Sequence, residues 1–265
     1  MDGSKPGIQI CCFLNNDLIV DFDSLRKIIE YMQGEANVGA ASGLIYYGNG
    51  RTIYSAGGIF TELWNARGIC WNNLGYECYG KDKPHYVTYA DGAYTVVDAE
   101  IVRSISINGK PFFDKAFLYF DDYILGLLLW NKGYKVRYYP IEAGFHYAHK
   151  TIKPVIDYFG IRAHIALMSV VKTRFKPMAS IHVLRRSAIH SVLCAKGVQK
   201  SCDVIRAIYD GILLGNYAKN RIGVLTLYKA PYFRRKFEEL KCFVAGLCKE
   251  SKITFKDVTY PLNGV

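Results

Sequence analysis

From Ile8 to Leu14 the chain is almost wholly apolar, and the run stops at Asn15-Asn16-Asp17. A short continuous apolar run, in place of an alternating one, predicts a strand buried on both faces, as in a parallel sheet. A helix is predicted next. Asp21 or Asp23 can cap it, Leu25, Ile28, Ile29 and Met32 form one apolar face, and Gly34 can end it. Strand followed by helix points to an α/β architecture, and such sheets bind ligands beyond the C-terminal ends of their strands. Two amides and a carboxylate stand at that place here.

Val38 to Tyr47 reads as a second strand, and residues 48–85, rich in Gly, Asn, Tyr and Trp, read as loops and short strands. Tyr86 to Ala90 alternates like a strand and runs into Asp91-Gly92-Ala93, and a short helix is predicted to begin near Asp98. Asp121-Asp122 opens a helix to Trp130 with Gly133 as its stop, and Lys135 to Tyr139 is a strand closed by Pro140. Glu142 to Thr151 is polar and contains His146 and His149. After Pro154, residues 155–172, 178–195 and 201–214 have helical spacing, with Val204, Ile205, Ile208 and Ile212 as the apolar face of the third.

Charge divides the chain at nearly the same place. Of the net +11, residues 1–150 carry −2 and residues 151–265 carry +13. We therefore expect two regions, 1–152 and a basic helical 153–265, the second an anion-seeking surface that includes Lys229, Arg234, Arg235, Lys236 and Lys241. Such basic amphipathic helices suit an anionic membrane surface, and equally a solvated layer packed on the catalytic body. No run reaches the roughly 18 apolar residues of a membrane span. The eight cysteines include neighbours, Cys11 and Cys12, and no Cys-x-x-Cys pair. Reduced thiols in a cytoplasmic protein, peripheral on the inner face of the cell membrane, are the expectation.

Singly, the polar residues have ordinary explanations: Asn15-Asn16-Asp17 as a turn, Asp121 and Asp122 as helix-dipole partners, His146 as a structural histidine. They also carry chemistry. A carboxylate at a strand end can hold a hard divalent cation against phosphate oxygens, and a carboxylate fixed on a helix can act as a general base.

In order, Leu14-Asn15-Asn16-Asp17, Asp91-Gly92-Ala93, Phe113-Asp114-x-x-Phe117-x-Tyr119-x-Asp121-Asp122, Gly133-Tyr134-Lys135 and His146-x-x-His149-x-Thr151 resemble the family 2 glycosyltransferases of GT-A fold. The likeness is greatest to the rhamnosyltransferase-like and galactofuranosyltransferase-like members that build cell-surface glycans. It covers about residues 8–152 and, more weakly, the tail to roughly 222. The resemblance implies a Rossmann-like, mixed but mostly parallel sheet flanked by helices, with a helical extension. It implies inverting transfer of a sugar from a nucleotide-diphosphate donor to a glycan or lipid-linked acceptor, with Mg2+ or Mn2+. Asn15, Asn16, Asp91, Gly92 and Ala93 would bind donor or acceptor, Asp17 and His146 the metal, and Asp122, with Asp121 beside it, would be the catalytic base.

Two departures accompany it. Ile124 stands where the family carries a further Asp, and only about seven residues precede the first strand, where the family has the strands that grip base and ribose. No Gly-rich phosphate loop substitutes. The expectation is an N-terminally truncated catalytic domain, completed by a missing stretch or by a second chain. Two other readings compete: a non-catalytic or split-gene remnant acting as partner subunit, and a basic nucleic-acid-binding protein. The acidic positions of the first half would repel nucleic-acid phosphate, so no nucleic acid is expected.

Overall fold

The computed structural model describes residues 9–116, 119–147, 156–196, 203–234 and 252–261, with Phe237, Cys242 and Ala245. Its strands are β1 (Ile10–Leu14), β2 (Leu18–Val20), β3 (Val38–Tyr47), β4 (Ile53–Ser55), β5 (Gly58–Thr61), β6 (Ala66–Gly68), β7 (His85–Tyr86), β8 (Tyr94–Asp98), β9 (Lys135–His146), β10 (Val171–Lys172), β11 (Leu225–Thr226), β12 (Tyr232–Phe233) and β13 (Val258–Thr259). Its helices are α1 (Phe22–Gly34), α2 (Ala99–Ile105), α3 (Asp121–Asn131), α4 (Ile156–Val170), α5 (Lys176–Ala195) and α6 (Val204–Ile222).

The main sheet has the order β1-β8-β3-β9-β2, with β4 added on β3 and β7 on β9. It is mixed, as expected, but not mostly parallel: β3 and β9 run parallel, while β1–β8, β3–β8, β2–β9, β3–β4 and β7–β9 are antiparallel. Continuous apolar runs misled here because helices cover both faces of the sheet, so its antiparallel strands are buried like parallel ones. Alternate residues of β3 and β8 serve different cores. Ala41, Ile45 and Val96 meet Ile28 and Met32 of α1 on one face, whereas Ala40, Leu44 and Val97 meet Leu125 and Leu129 of α3 on the other. β1 corrects a second expectation. It is an edge strand, half-buried and paired with β8 alone among the described residues.

Asp21 caps α1, accepting from the amides of Asp23 and Ser24 at 3.3 and 3.2 Å. Pro140 does not end β9. The ladder to β3 shifts register around it, and the exposed Pro140 sits in that irregularity, where a missing N–H costs no ladder bond. Gly43 lets the strands close there, since a Cβ on it would stand 2.7 Å from the Ile141 carbonyl oxygen. The strand thus continues to His146, which matters for the site.

Residues 48–85 hold the short strands expected there. β5 and β6 join β12 and β13 in a second sheet, order β13-β12-β5-β6, so the chain's last described strands pack back on its first half. Arg174 adds an ion pair to the fully buried Glu62 at 2.8 Å. In the same region the reduced-thiol expectation fails. Cys70 and Cys78, both buried, form a disulfide with Cα atoms 5.4 Å apart, and Cys242 is also disulfide-bonded. Pairing is a matter of spatial approach, which spacing in sequence does not reveal. The cytoplasmic assignment loses its cysteine premise with it.

α6 keeps Val204 and Ile208 of the predicted face against the core but turns Ile205 and Ile212 outward. Val204, Ala207, Gly211, Leu214, Gly215 and Ala218 are buried, while Ile205 is 84% and Ile212 46% exposed. Small residues win the interface because α4 lies close: Cβ atoms on Gly211 and Gly215 would stand 2.7 and 2.8 Å from the carbonyl oxygens of Arg162 and Ala166. No helix among the described residues is long and apolar enough to cross a membrane. His149 and Thr151, and the basic residues Arg235, Lys236 and Lys241, lie outside the described residues.

Candidate active site

Pairing of β2 with the end of β9 builds the first part of the site. Leu18 lies opposite His146, so Asp17, one residue before it, meets the imidazole. His146 Nε2 is 2.9 Å from Asp17 Oδ1 and 3.4 Å from the Asn15 side-chain amide. The Tyr147 amide donates to the Asp17 carbonyl at 3.0 Å, fixing the turn. Asp17 keeps 29% side-chain exposure and Asn15 and Asn16 are exposed, whereas His146 is buried, its ring 4.3 Å from Tyr54 in a T-shaped contact.

The β1–β8 pair brings in the second stretch. Leu14 lies opposite Tyr94, and the Asn15 amide donates to the Ala93 carbonyl at 3.1 Å. Asp91 caps its own turn, accepting from the Ala93 amide at 3.0 Å, and the Ser55 hydroxyl also bonds its carboxylate. Burial nevertheless raises the Asp91 carboxyl above its ordinary range, opposed by those hydrogen bonds and by His146.

α3 supplies the third. Its first two residues do not act only as dipole partners. Asp122 Oδ2 accepts from the Gly92 amide at 3.2 Å, and Asp121 Oδ1 accepts from the Phe113 amide at 3.2 Å. A side chain at position 92 would crowd the carboxylate, since a Cβ there would stand 3.3 Å from Asp122 Oδ2. Burial, then the like charges of Asp91 and Asp121, push the Asp122 carboxyl up to about 8. Burial raises Asp121 to about 6, with the Phe113 amide and Arg162 pulling it back. Ile124, the departure from the family pattern, is fully buried in the core, so position 124 points away from any acceptor.

Asn15, Asp17, Asp91, Gly92, Ala93, Asp121, Asp122 and His146 therefore meet at one edge of the main sheet, from four separate stretches of chain. Sequence reasoning missed Tyr54, Ser55 and Tyr123. Tyr54 packs on His146, and the charges of Asp91 and Asp122 both act on its buried hydroxyl. Tyr123 lies beside Tyr89 at 4.9 Å and Phe60 at 5.4 Å, with Asp122 and Asp91 the charges nearest its hydroxyl. The abundance of tyrosine was the available signal, but 21 copies gave no means of choosing among them.

Among the described residues no three His, Cys, Asp or Glu side chains cluster to hold a metal unaided. The Asp17–His146 pair fits a different arrangement. The carboxylate oxygen and the ring nitrogen bond each other, with the Asn15 amide beside them, and both are donor types that a divalent cation accepts. Mg2+ and Mn2+ sites commonly take one or two protein carboxylates and complete their shell with substrate phosphates.

Carboxylates gather at a sheet edge on an α/β scaffold, one of them, Asp122, held well above its ordinary range by burial and like charge. Residues 12–156 match the model of Glycosyl transferase family group 2, more than half of the chain, and the chain belongs to that family. No curated protein matches the sequence. Among solved structures, GalNAc-T7, crystallised with UDP, GalNAc and Mn2+, is similar at a TM-score of 0.47 and 11% identity over 80% of this chain and 39% of that one. The chain thus spans about two-fifths of the length of that structure.

Proposed function

We propose that the protein is an inverting glycosyltransferase that moves a sugar from a nucleotide-diphosphate donor to a hydroxyl of a glycan or lipid-linked acceptor in cell-surface glycan synthesis. The supporting observation is the meeting of Asp17 with His146 at 2.9 Å and of Gly92 with Asp122 at 3.2 Å along one sheet edge. These two contacts support the reading of a metal-type donor pair and a base-type carboxylate in one site.

Asp122 takes the proton from the acceptor hydroxyl as that oxygen attacks the anomeric carbon. Attack from the face opposite the diphosphate inverts the centre, and no covalent sugar–enzyme intermediate forms. The Gly92 amide holds the carboxylate in place, and Asp91 and Asp121 keep its proton affinity high enough for the task. Asn15, Asn16 and Ala93 border the donor, while Asp17 and His146 would hold a divalent cation. That cation, when bound, would neutralise charge growing on the leaving nucleoside diphosphate. The test is transfer from a panel of nucleotide sugars. Activity that persists undiminished in Asp122→Asn would remove the base assignment.

Two finer parts belong to this reading. Among the described residues β1 pairs with β8 alone, and a second chain that grips base and ribose would pair along its outer edge. The exposed apolar residues of α5 and α6, Ile181, Leu184 and Val192 with Ile205, Tyr209 and Leu213, stand near Arg185, Arg206 and Lys219. That combination suits an anionic membrane surface carrying a lipid-linked acceptor. Flotation with anionic vesicles at physiological salt tests it, and failure to float would remove the membrane role.

A further inference from the structure

A cavity of about 620 Å³ opens where the last described strands pack back on the body of the protein, within the range of small-molecule sites. It lies at the far end of α3 from the proposed base. Trp130 and Asn131 of its wall close α3, which Asp121 and Asp122 open, and at roughly 1.5 Å per residue the 11-residue helix sets about 15 Å between them. Three cations line the cavity, each from a different segment: Lys135 from the start of β9, Lys229 from the turn after β11 and Arg234 from just past β12. Among the described lining residues there is no carboxylate.

None of the three cations is ion-paired with a described residue, and such partners as they have are neutral. Lys229 reaches the Asn131 carbonyl at 3.5 Å and Lys135 donates to the Tyr86 hydroxyl at 3.2 Å, so each ammonium keeps further N–H donors. Arg234 is exposed and forms no hydrogen bond or ion pair with any described residue, which leaves its whole fork open. Acids close by are already committed. Glu35, which accepts from Tyr86, is ion-paired with Arg137 at 2.9 Å, and Asp257 accepts from the Thr254 amide and hydroxyl, both at 2.9 Å. The carbonyls of Leu129, Trp130 and Asn131 accept from Tyr134, Gly133 and Lys229 in turn, so the end of α3 leaves little bare negative charge to repel an anion.

The rest of the wall bears on what the anion is attached to. Tyr228, Tyr232 and Tyr260 supply rings, the first two in a T-shaped contact at 5.1 Å. Thr259 adds a hydroxyl, and neither it nor the Tyr232 hydroxyl bonds a described residue. A group to read a nucleobase is missing, because the Asn131 amide is used up on the Leu127 and Thr226 carbonyls and the Thr226 N–H. We propose that this cavity is a second ligand site that takes a phosphorylated sugar, its phosphoryl group held by Arg234 and Lys229, with Lys135 adding charge and the tyrosines facing the ring. The site is separate from the proposed transfer and does not rest on it. An arginine fork matches two phosphoryl oxygens at once, and lysine supplies a point charge beside it.

The test is calorimetric titration of the full chain, at physiological salt, with glucose 6-phosphate and mannose 6-phosphate, neither of which is a fragment of a nucleotide-sugar donor. Binding of at least one is expected. Arg234→Gln and Lys229→Gln, both at exposed positions, are each expected to weaken it about tenfold or more, as loss of a charge-assisted contact does. Tyr232→Phe is expected to weaken the sugar phosphate while leaving inorganic phosphate unchanged, with thermal melting to verify that it folds. No binding of either sugar phosphate would overturn the proposal, as would normal binding by the two Gln variants. Inorganic phosphate bound as tightly would show an adventitious ion only, AMP bound more tightly a nucleotide site, and free glucose bound as tightly a site indifferent to the cations. Each of these overturns it. Asp17→Ala and Asp122→Asn are expected to bind the probes normally whatever they do to transfer, so this inference and the proposed function fail separately. Loss of binding in either folded variant would put the ligand in the transfer site and overturn the inference.

Discussion

The sheet edge and the helical layer differ in sign, and burial drives a titratable group in each toward neutrality. At the sheet edge, Asp122 is pushed up to about 8 by burial and by Asp91 and Asp121. In the helical layer, His164 is pushed down to about 4 by burial and by Arg186 and Arg67. Acids are gathered with acids at the first, and an imidazole lies near two arginines, one of them bonded to Asn65, at the second. Burial and like charge together move each group toward its neutral form.

The comparison breaks most directly at Asp122. In an enzyme competent for transfer, Asp122→Asn is expected to cut turnover by about 10²–10⁴-fold with little change in donor affinity, read from steady-state kinetics and donor titration. A mutant of nearly normal turnover would mean that the acidic end is not the base. Elsewhere, the sequence did not reveal one loop as cross-linked. Replacing Cys70 and Cys78 together with Ala opens a loop of 8 residues' separation and is expected to cost roughly 2–3 kcal/mol, measured by denaturant unfolding. Unchanged unfolding would show that the bond contributes nothing.

Chelation sharpens the comparison from the other side. Removing divalent cations is expected to reduce transfer at least tenfold, as the cation proposed at Asp17 and His146 requires. Restoration by Mn2+ or Mg2+ completes that test. Full activity after chelation, with Asp17→Ala still active, would defeat the metal assignment.

Much of this was legible before the structure, and the reasons are local. β3, α1 and α3 follow from unbroken apolar runs, from the Asp21 cap and from Gly133. Order along the chain, not any one residue, pointed to Asp17, Asp122 and His146. What was hidden depended on approach between distant segments. Pro140 looked like a strand end because a bulge that tolerates it requires β3 alongside, with Gly43 opposite. Ile205 and Ile212 looked buried because helical spacing ranks residues by hydrophobicity, whereas close approach of α4 selects Gly211 and Gly215.

The smallest expected effect is on stability. The Asp122 carboxyl binds its proton more tightly folded than unfolded, so its contribution is fully present below the unfolded carboxylate range near 4. It is lost as pH rises toward about 8. At pH 8, Asp122→Asn is therefore expected to raise Tm, a gain that should vanish near pH 4. A lower Tm at pH 8 would indicate that the charged carboxylate is stabilising.

The assembly of acids at the sheet edge is open to measurement without any substrate. A carboxyl-carbon NMR titration of Asp122 is expected to show a midpoint near 8, moving down in Asp91→Asn as one like charge is removed. A midpoint near 4 in the wild-type protein, unmoved by that substitution, would mean that Asp91 and Asp122 do not share a buried recess, and that the site is not formed as described.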